Sequence, residues 1–176
     1  IEGRADVEKL TSLPVVGDIP LADEKTGSIA VFENQNNLMS ETFRNVRTNL
    51  QFMLENGKNV ILVTSTISGE GKSFISANLA ISLSLLGKKV VIVGLDIRKP
   101  GLNKVFNIPK KEHGITQYLT NTTANLMDFV QPSDINKNLF ILPGGTVPPN
   151  PTELLARGGL EKAIETLKAN FDYVIL

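Results

Sequence analysis

The sequence predicts an α/β fold with a doubly wound, mostly parallel sheet and helices on both faces. Two runs of aliphatic and β-branched residues, at 59–64 and 89–93, are typical of strands buried on both faces of a sheet. Between them lies a glycine-bearing loop and then a helical segment, 72–86, which Gly87 ends. A strand, a helix and a strand in this order form a βαβ unit, so the two strands should be parallel.

Further segments extend the same pattern in both directions. Residues 139–142 and 173–176 have the composition of strands, and apolar residues from 160 to 167 recur at helical spacing. Upstream, a helix is predicted to begin at Ser40, whose hydroxyl can cap it, and to end at Gly57. The strand at 173–176 should be interior in such a sheet. We therefore expect the domain to be truncated at that strand and to belong to a longer parent protein.

The start of the chain is polar and rich in turn residues. Residues 1–4, Ile-Glu-Gly-Arg, resemble a protease-recognition linker added for expression and are left out of the predicted fold. Residues 5–39 are interpreted as an N-terminal arm with one short strand at 29–32. Residues 40–176 form the predicted folded domain.

The composition argues against several functions. The 176 residues are 41% hydrophobic, which suffices for one domain with a substantial core. The 18 Lys+Arg balance the 18 Asp+Glu, so no basic field favours nucleic acid as a partner. Cysteine is absent and His113 is the only histidine, so no zinc site of the usual thiolate and imidazole ligands is expected. No apolar run approaches the ~18 residues that span a bilayer.

The most specific motif follows the first predicted strand. Residues 65–73 read Ser-Thr-Ile-Ser-Gly-Glu-Gly-Lys-Ser, a phosphate-binding loop (P-loop) pattern in which Thr66 replaces the first glycine. Such a loop turns backbone N–H groups around a phosphate at the start of a helix. Lys72 would reach the β- and γ-phosphates of ATP, and the Ser73 hydroxyl would bind Mg²⁺. The strand before the loop and the helix and strand after it predict a fold of P-loop NTPase type. The predicted contacts to ATP or ADP are Ser68, Gly69, Glu70, Gly71, Lys72, Ser73 and Phe74.

An acidic residue follows the second predicted strand. Residues 94–98 read Gly-Leu-Asp-Ile-Arg, and ligands of open α/β sheets bind beyond the carboxyl ends of the strands. Asp96 could hold Mg²⁺ through water or accept a proton from an attacking hydroxyl. The alternative is a solvated surface pair of Asp96 and Arg98. We predict catalytic roles for Lys72, Asp96 and Arg98, and magnesium binding by Ser73 and Asp96.

Four segments, in the same order, resemble the bacterial tyrosine kinases (BY-kinases), the cytoplasmic ATPase domains attached to polysaccharide copolymerase membrane proteins. The resemblance extends from about residue 13 almost to the end of the chain. The matching segments are the Glu-x-x-Arg-x-x-Arg helix at Glu41, Arg44 and Arg47, the SxxxGEGKS loop at 65–73, the DxDxR segment at 94–98, and the LPxG and PPNPxELL segments within 142–155.

The resemblance implies ATP- and Mg²⁺-dependent autophosphorylation on tyrosine, between protomers of a ring-shaped homo-oligomer. The helix with Glu41, Arg44 and Arg47 would dock against a neighbouring protomer. The implied role is control of capsular or extracellular polysaccharide synthesis and export. The implied partners are a membrane-spanning polysaccharide copolymerase segment or subunit and a tyrosine phosphatase. The implied location is that of a cytoplasmic domain in an inner-membrane-associated bacterial protein.

Three features depart from the family pattern. Gly94 replaces the first aspartate of DxDxR, so Asp96 would serve the metal, the proton transfer or both. The Walker B aspartate of the family would come directly after Leu176. The C-terminal tyrosine cluster is missing from the sequence, whose two tyrosines, Tyr118 and Tyr173, are both predicted to be structural, with Tyr118 half-buried.

Two other functions fit parts of the pattern. MinD/ParA-type ATPases share the fold, but their loop has a signature lysine where this chain has Ile67. A nucleotide-gated assembly module without phosphotransfer would be consistent with the loss of a carboxylate at Gly94. Taken alone, the stripe of Glu41, Arg44 and Arg47 is better interpreted as a solvated helix face, and only the resemblance favours a protomer contact.

Overall fold

A computed structural model describes residues 3–22, 27–54, 57, 59–97, 101–109, 113–121, 123–156 and 158–176. The helices are α1 (Arg4–Leu10), α2 (Leu38–Met53), α3 (Lys72–Ser84), α4 (Leu102–Val105), α5 (Ile115–Thr120), a 3-10 turn (Leu126–Phe129), α6 (Pro151–Ala156) and α7 (Gly159–Asn170). The strands are β1 (Val60–Ile61), β2 (Val90–Val93), β3 (Gln131–Pro132), β4 (Leu139–Leu142) and β5 (Tyr173–Ile175). No helix in these ranges is long and apolar enough to cross a membrane.

The strands form one five-stranded sheet in the order β1-β5-β2-β4-β3. The first four strands in this order are parallel, and β3 pairs antiparallel with β4. The prediction of a mostly parallel sheet is therefore confirmed. β5 lies between β1 and β2, so the two strands of the predicted βαβ unit are parallel but not adjacent. The interior position expected for residues 173–176 is also confirmed.

Helices cover both faces of the sheet. Alternate side chains of the strands therefore pack in two separate cores, one on each face. Val90 and Ile92 of β2 pack in one core, under α2 and α3. Val91 and Val93 pack in the other core, with residues of α5 and α7. This division is what the continuous apolar sequence of β2 predicted, because every side chain of a doubly covered strand is buried. Tyr118, predicted to be half-buried, lies in the second core with 2% of its surface exposed.

The first strand differs from its prediction as a long strand buried on both faces. Only Val60–Ile61 forms β1, and its side chains are half-buried. Leu62 is 67% exposed. Within the described residues, β1 pairs with β5 and has no strand on its other side, so it lies at the edge of the sheet. An apolar run shows that a segment favours burial, but it does not show how many neighbours the strand has.

Helix α2 is present as expected, with different ends. Its N-cap is Asn37, whose side chain accepts a hydrogen bond from the Ser40 amide at 2.8 Å. The predicted cap, Ser40, lies inside the first turn, and its hydroxyl contacts the Ala30 carbonyl at 3.4 Å. The helix ends at Met53, before Gly57. Asn37 competes successfully because its amide side chain is as good an N-cap as a serine hydroxyl.

The arm contains no strand at 29–32, where one was predicted. Asn78 of α3 replaces the missing strand partner: its buried side chain accepts from the Ala30 and Val31 amides at 2.7 and 3.1 Å. The same side chain donates to the carbonyls of Ser28 and Phe74 at 3.1 and 2.8 Å. The arm is thus fixed to the helix that follows the predicted phosphate loop. Further upstream, α1 begins at Arg4, which pairs with Glu8.

Candidate functional site

The loop between β1 and α3 has the backbone conformation that a phosphate loop requires. Gly69 and Gly71 have φ angles of +95° and +93°, in the left-handed region that favours glycine. Gly71 is the N-cap of α3, and its carbonyl accepts from the Ile75 amide at 2.9 Å. The loop therefore leads directly into a helix N-terminus, where the helix dipole and free N–H groups favour an anion.

Lys72 is held toward the start of the loop. Its Nζ lies 2.8 Å from the hydroxyl of Ser65, which in turn donates to the Ile67 carbonyl at 2.8 Å. A neutral hydroxyl leaves the ammonium charge available to a phosphate, whereas a carboxylate partner would neutralise it. Ser65 was not predicted as a site residue, although it is the first residue of the motif.

The Glu70 side chain forms hydrogen bonds to two other residues of the loop. Its carboxylate accepts from the Ile67 amide at 3.1 Å and from the Thr66 hydroxyl at 3.1 and 3.2 Å. These contacts, the Ile67 amide first, lower the pKa of Glu70 below its ordinary value of 4.5. The fully exposed Glu70 side chain therefore shapes the loop, and this bond occupies the Ile67 amide.

A cleft of about 700 Å³ opens at the carboxyl edge of the sheet and brings the central predicted residues together. Lys72, Ser73 and Ser68 line it from the loop side, and Asp96 lines it from the end of β2. Gly69, Glu70 and Gly71 form the turn of the loop without lining the cleft. Phe74 faces away: its ring packs edge-on against Phe43 at 5.9 Å. Arg98 lies outside the described residues.

Gly94 is buried at the end of β2, where the family pattern has an aspartate. Its amide donates to the Leu142 carbonyl at 2.9 Å, which continues the pairing of β2 with β4. A Cβ added at Gly94 would lie 2.7 Å from the amide nitrogen of Gly144. No side chain fits here unless the backbone of the loop after β4 moves. Asp96 is consequently the acidic residue that this strand end presents to the cleft.

The far side of the cleft is formed by residues that were not predicted as part of the site. Gly144 follows β4, and Pro151, Thr152 and Leu155 belong to α6. All four fall in the 142–155 segment that carries the LPxG and PPNPxELL resemblance. The resemblance of this segment to the family could have indicated that it belongs to the site. The residue types alone could not, because proline and leucine side chains have no catalytic or metal-binding groups.

The charged side chains predicted to form one stripe on α2 do not all point to solvent. Arg44 is exposed and pairs with Glu41 at 2.6 Å. The half-buried Arg47 turns toward α3, where its Nη1 donates to the Ser82 carbonyl at 2.8 Å. Its buried Nε has no hydrogen-bond acceptor among the described residues. Burial, and then the charge of Arg44, lowers the pKa of Arg47.

Comparison with known proteins gives consistent results. A family model described as ParA, NUBPL iron-transfer P-loop NTPase, matches residues 56–168. Tyrosine-protein kinase CpsD of Streptococcus agalactiae is 38% identical over 136 residues, covering 77% of this chain and 58% of that kinase. A putative tyrosine-protein kinase in the cps region of Klebsiella pneumoniae is 34% identical over 155 residues, covering 88% of this chain and 21% of its own length. The chain thus spans less than two thirds of these relatives.

Solved structures agree in fold. The crystal structure of the chimerical protein CapA2B2 has a TM-score of 0.85 and 34% identity, covering 97% of this chain and 73% of that one. The septum site-determining protein MinD of Pyrococcus horikoshii, complexed with Mg-ADP, has a TM-score of 0.57 and 26% identity, covering 66% and 47%.

A phosphate loop that joins a parallel strand to a helix N-terminus, with an acidic residue across the cleft, defines a P-loop NTPase domain. P-loop NTPases of this group bind nucleotide with Mg²⁺, as the MinD complex illustrates. Within the P-loop NTPases, the chain belongs to the bacterial tyrosine kinase (BY-kinase) family, whose members include capsule-region kinases. The prediction of this family and of its fold is confirmed.

Proposed function

We propose that this chain is the catalytic domain of an ATP-dependent, autophosphorylating protein-tyrosine kinase that regulates capsular or extracellular polysaccharide synthesis and export. The observation that carries the proposal is the single cleft lined by Lys72, Ser73 and Asp96. Phosphoryl transfer needs positive charge at the phosphates, a magnesium site and a group that orients the acceptor. These three residues supply one of each.

The residues fit a bound Mg²⁺. No group of three or more acidic or histidine side chains that could hold a metal by itself occurs in the described ranges. P-loop enzymes hold Mg²⁺ with one hydroxyl, few carboxylates and the phosphates of the nucleotide, so no such cluster is needed. Ser73 would bind it directly and Asp96 through water. The aspartate expected after Leu176 would complete the set, and Leu176 lines the cleft. Mg²⁺ would neutralise charge on the phosphate oxygens.

The side chains would act on a bound ATP as follows. Lys72 and the loop amides stabilise negative charge on the β- and γ-phosphates. Asp96 orients the tyrosine hydroxyl of a neighbouring protomer and accepts its proton. We also propose that Arg98 contributes to catalysis, since it follows Asp96 by two residues.

Labelled ATP tests the proposal. Full-length protein should place label on its own tyrosines, and Lys72→Met should abolish that label because the phosphates lose their cation. Lys88→Met, at the exposed opposite end of β2, is the matched control and should keep full activity.

The same assay distinguishes the two other candidate functions. Release of free phosphate alone would favour a MinD/ParA-type ATPase. Nucleotide-dependent assembly without label or phosphate would favour the assembly module, which the steric block at Gly94 makes a specific second candidate.

We propose that the protein forms a ring-shaped homo-oligomer through α2. The exposed pair of Arg44 and Glu41 is available to a neighbouring protomer, whereas Arg47 is engaged with Ser82. Arg44→Glu should therefore yield smaller assemblies by light scattering and leave ADP affinity unchanged. Lys137→Glu, an exposed charge reversal before β4, is the control and should not change the assembly. Unaltered particle size in Arg44→Glu would contradict this contact.

Membership of the family supports two further partners. We propose a membrane-spanning polysaccharide copolymerase segment or subunit as the physical partner, and a tyrosine phosphatase as the enzyme that reverses the modification. The domain would then work on the cytoplasmic side of the inner membrane. Co-purification of the full-length protein with that copolymerase from solubilised membranes tests the first partner.

A further inference from the structure

The strand order sets the spatial order of the groups along the cleft. The phosphate loop follows β1, Asp96 follows β2, and the loop leading to α6 follows β4. β5 separates β1 from β2, and β4 lies next to β2 on its other side. Strands are spaced about 4.8 Å apart, so β1 and β4 are separated by roughly 14 Å. Asp96 therefore lies between the phosphate loop and the wall formed by α6.

The two walls of the cleft differ in chemistry. The loop side presents hydroxyls and the Lys72 ammonium, which suit a polyphosphate. The opposite wall, which we call the far wall, consists of Pro151, Thr152 and Leu155 of α6. It carries no charge and one hydroxyl, so it favours an apolar group with a polar tip over a phosphate.

The side chains of α6 lie in three different environments: the core, the solvent and the cleft. Leu154 is 6% exposed and anchors the helix in the second core. Glu153 points to solvent and accepts from the Asn150 side chain at 3.3 Å. Pro151, Thr152 and Leu155 are left on the face that lines the cleft, and Leu155 is only half-buried. Leu155 also packs part of its side chain against this core. Both leucines therefore hold the helix in place, while Pro151, Thr152 and the exposed part of Leu155 line the cleft.

We propose that the far wall binds the aromatic ring of the acceptor tyrosine and directs its hydroxyl to Asp96. The inference rests on the proposed kinase function. In transfer from ATP, the phenol oxygen bonds to the γ-phosphorus while the bond from that phosphorus to the ADP oxygen breaks. ADP leaves with the bonding electron pair, and the Asp96 carboxylate takes the phenol proton. In-line geometry places the acceptor opposite the leaving ADP, on the side of the cleft away from the phosphate loop.

Steady-state kinetics with a synthetic peptide that contains one tyrosine test this assignment in the full-length protein. Leu155→Ala removes apolar contact from the ring, so the KM for the peptide should rise roughly tenfold, with the ADP dissociation constant unchanged. Thr152→Trp changes an exposed residue and fills the space for the ring. It should abolish peptide phosphorylation and retain ATP hydrolysis, because water still reaches the γ-phosphate. Glu153→Ala, on the outward face of the same helix, should behave as wild type.

Each alternative outcome is distinct. If Leu155→Ala weakens ADP binding as much as it raises the peptide KM, the far wall holds the nucleoside and the inference is wrong. An unchanged peptide KM in Leu155→Ala, together with normal peptide phosphorylation by Thr152→Trp, also overturns it. Wild-type protein that hydrolyses ATP and never labels tyrosine would instead remove the proposed function, and this inference with it.

Discussion

Two glycine-containing loops at the same edge of the sheet depend on glycine for different physical reasons. At Gly71, φ is +93° and an added Cβ would meet nothing within 4 Å, so the backbone conformation is what requires glycine. At Gly94 the backbone is not left-handed, and an added Cβ would lie 2.7 Å from the Gly144 nitrogen. The space beside Gly71 is open, and the space beside Gly94 is filled with backbone.

The contact at Gly94 gives a structural reason why glycine replaces the first aspartate of the family's DxDxR pattern. In the sequence, Gly94 is a missing carboxylate. In the structure it packs against the backbone of the loop after β4, and Gly114 packs against the same loop, with an added Cβ only 2.5 Å from the Gly145 nitrogen. Backbone conformation requires the glycine of the phosphate loop, whereas packing requires the glycine at the end of β2. Substitutions should therefore separate affinity from stability.

The largest effect is expected from Gly71→Ala. A side chain in the left-handed conformation costs about 1–3 kcal/mol, and the loop can relieve that strain by turning its amides away from the phosphate. The affinity for ADP should fall by roughly 5- to 150-fold, at 1.4 kcal/mol per factor of ten. Isothermal titration calorimetry measures this change.

Gly87→Ala is the matched control, because Gly87 also has a positive φ, +78°, but lies at the other end of α3. It should cost stability and leave ADP affinity intact. Equal ADP affinities for Gly71→Ala and wild type would mean that the nucleotide does not bind to the loop in this conformation.

The next effect is on stability, from Gly94→Ala. Forcing a methyl group into a packed backbone contact costs typically 1–3 kcal/mol, so the free energy of unfolding should fall by about that amount. Urea denaturation followed by circular dichroism measures it. Gly3→Ala, where an added Cβ meets nothing within 4 Å and φ is extended at −174°, should lower the free energy of unfolding far less, because Gly3 only caps α1, a helix without buried residues.

Gly94→Asp would restore the family pattern in sequence but not in structure. We expect it to lose at least as much stability as Gly94→Ala and to gain no phosphotransfer activity, because its carboxylate must displace the loop at Gly144. A stable Gly94→Asp protein with increased kcat would show that the space opens readily and would weaken the distinction between the two loops.

The smallest effect concerns the pH dependence of the phosphate loop. The pKa of Glu70 is lowered in the folded protein, so its contribution to the loop is present above its ordinary pKa of 4.5 and is lost as the pH falls through the lower folded value. The Ile67 amide resonance should shift in that acidic range when followed by NMR. Glu70→Gln retains an acceptor and should abolish the titration. An Ile67 resonance that still titrates in Glu70→Gln would assign the effect to another group.

Much of the site could be predicted from sequence because its signals are local. The turn at Gly69 and Gly71, the charge of Lys72 and the start of α3 all lie within a few residues of one another. The flanking strands have an apolar composition that is equally local. The same holds for Asp96, because the position just beyond a buried strand end is where parallel sheets bind ligands.

Other features involve residues that are far apart in sequence and close in space. The sheet order places β5 between β1 and β2 and leaves β1 at the edge among the described residues. Asn78 replaced a predicted strand in the arm, because its side chain satisfies two backbone amides. Arg47 was predicted to lie on a surface stripe. In the structure its side chain donates to Ser82 instead, because α2 packs against α3.

The sequence alone determined the α/β class, the phosphate loop with Lys72 and Ser73, and the acidic position at Asp96. Backbone conformation and hydrophobic periodicity encode these within a few residues of the chain. Only the tertiary structure decided that Gly94 has no room for a carboxylate and that α6 forms the opposite wall of the cleft. Both depend on which strand ends lie side by side, and that is set by the packing of the whole sheet between its two layers of helices.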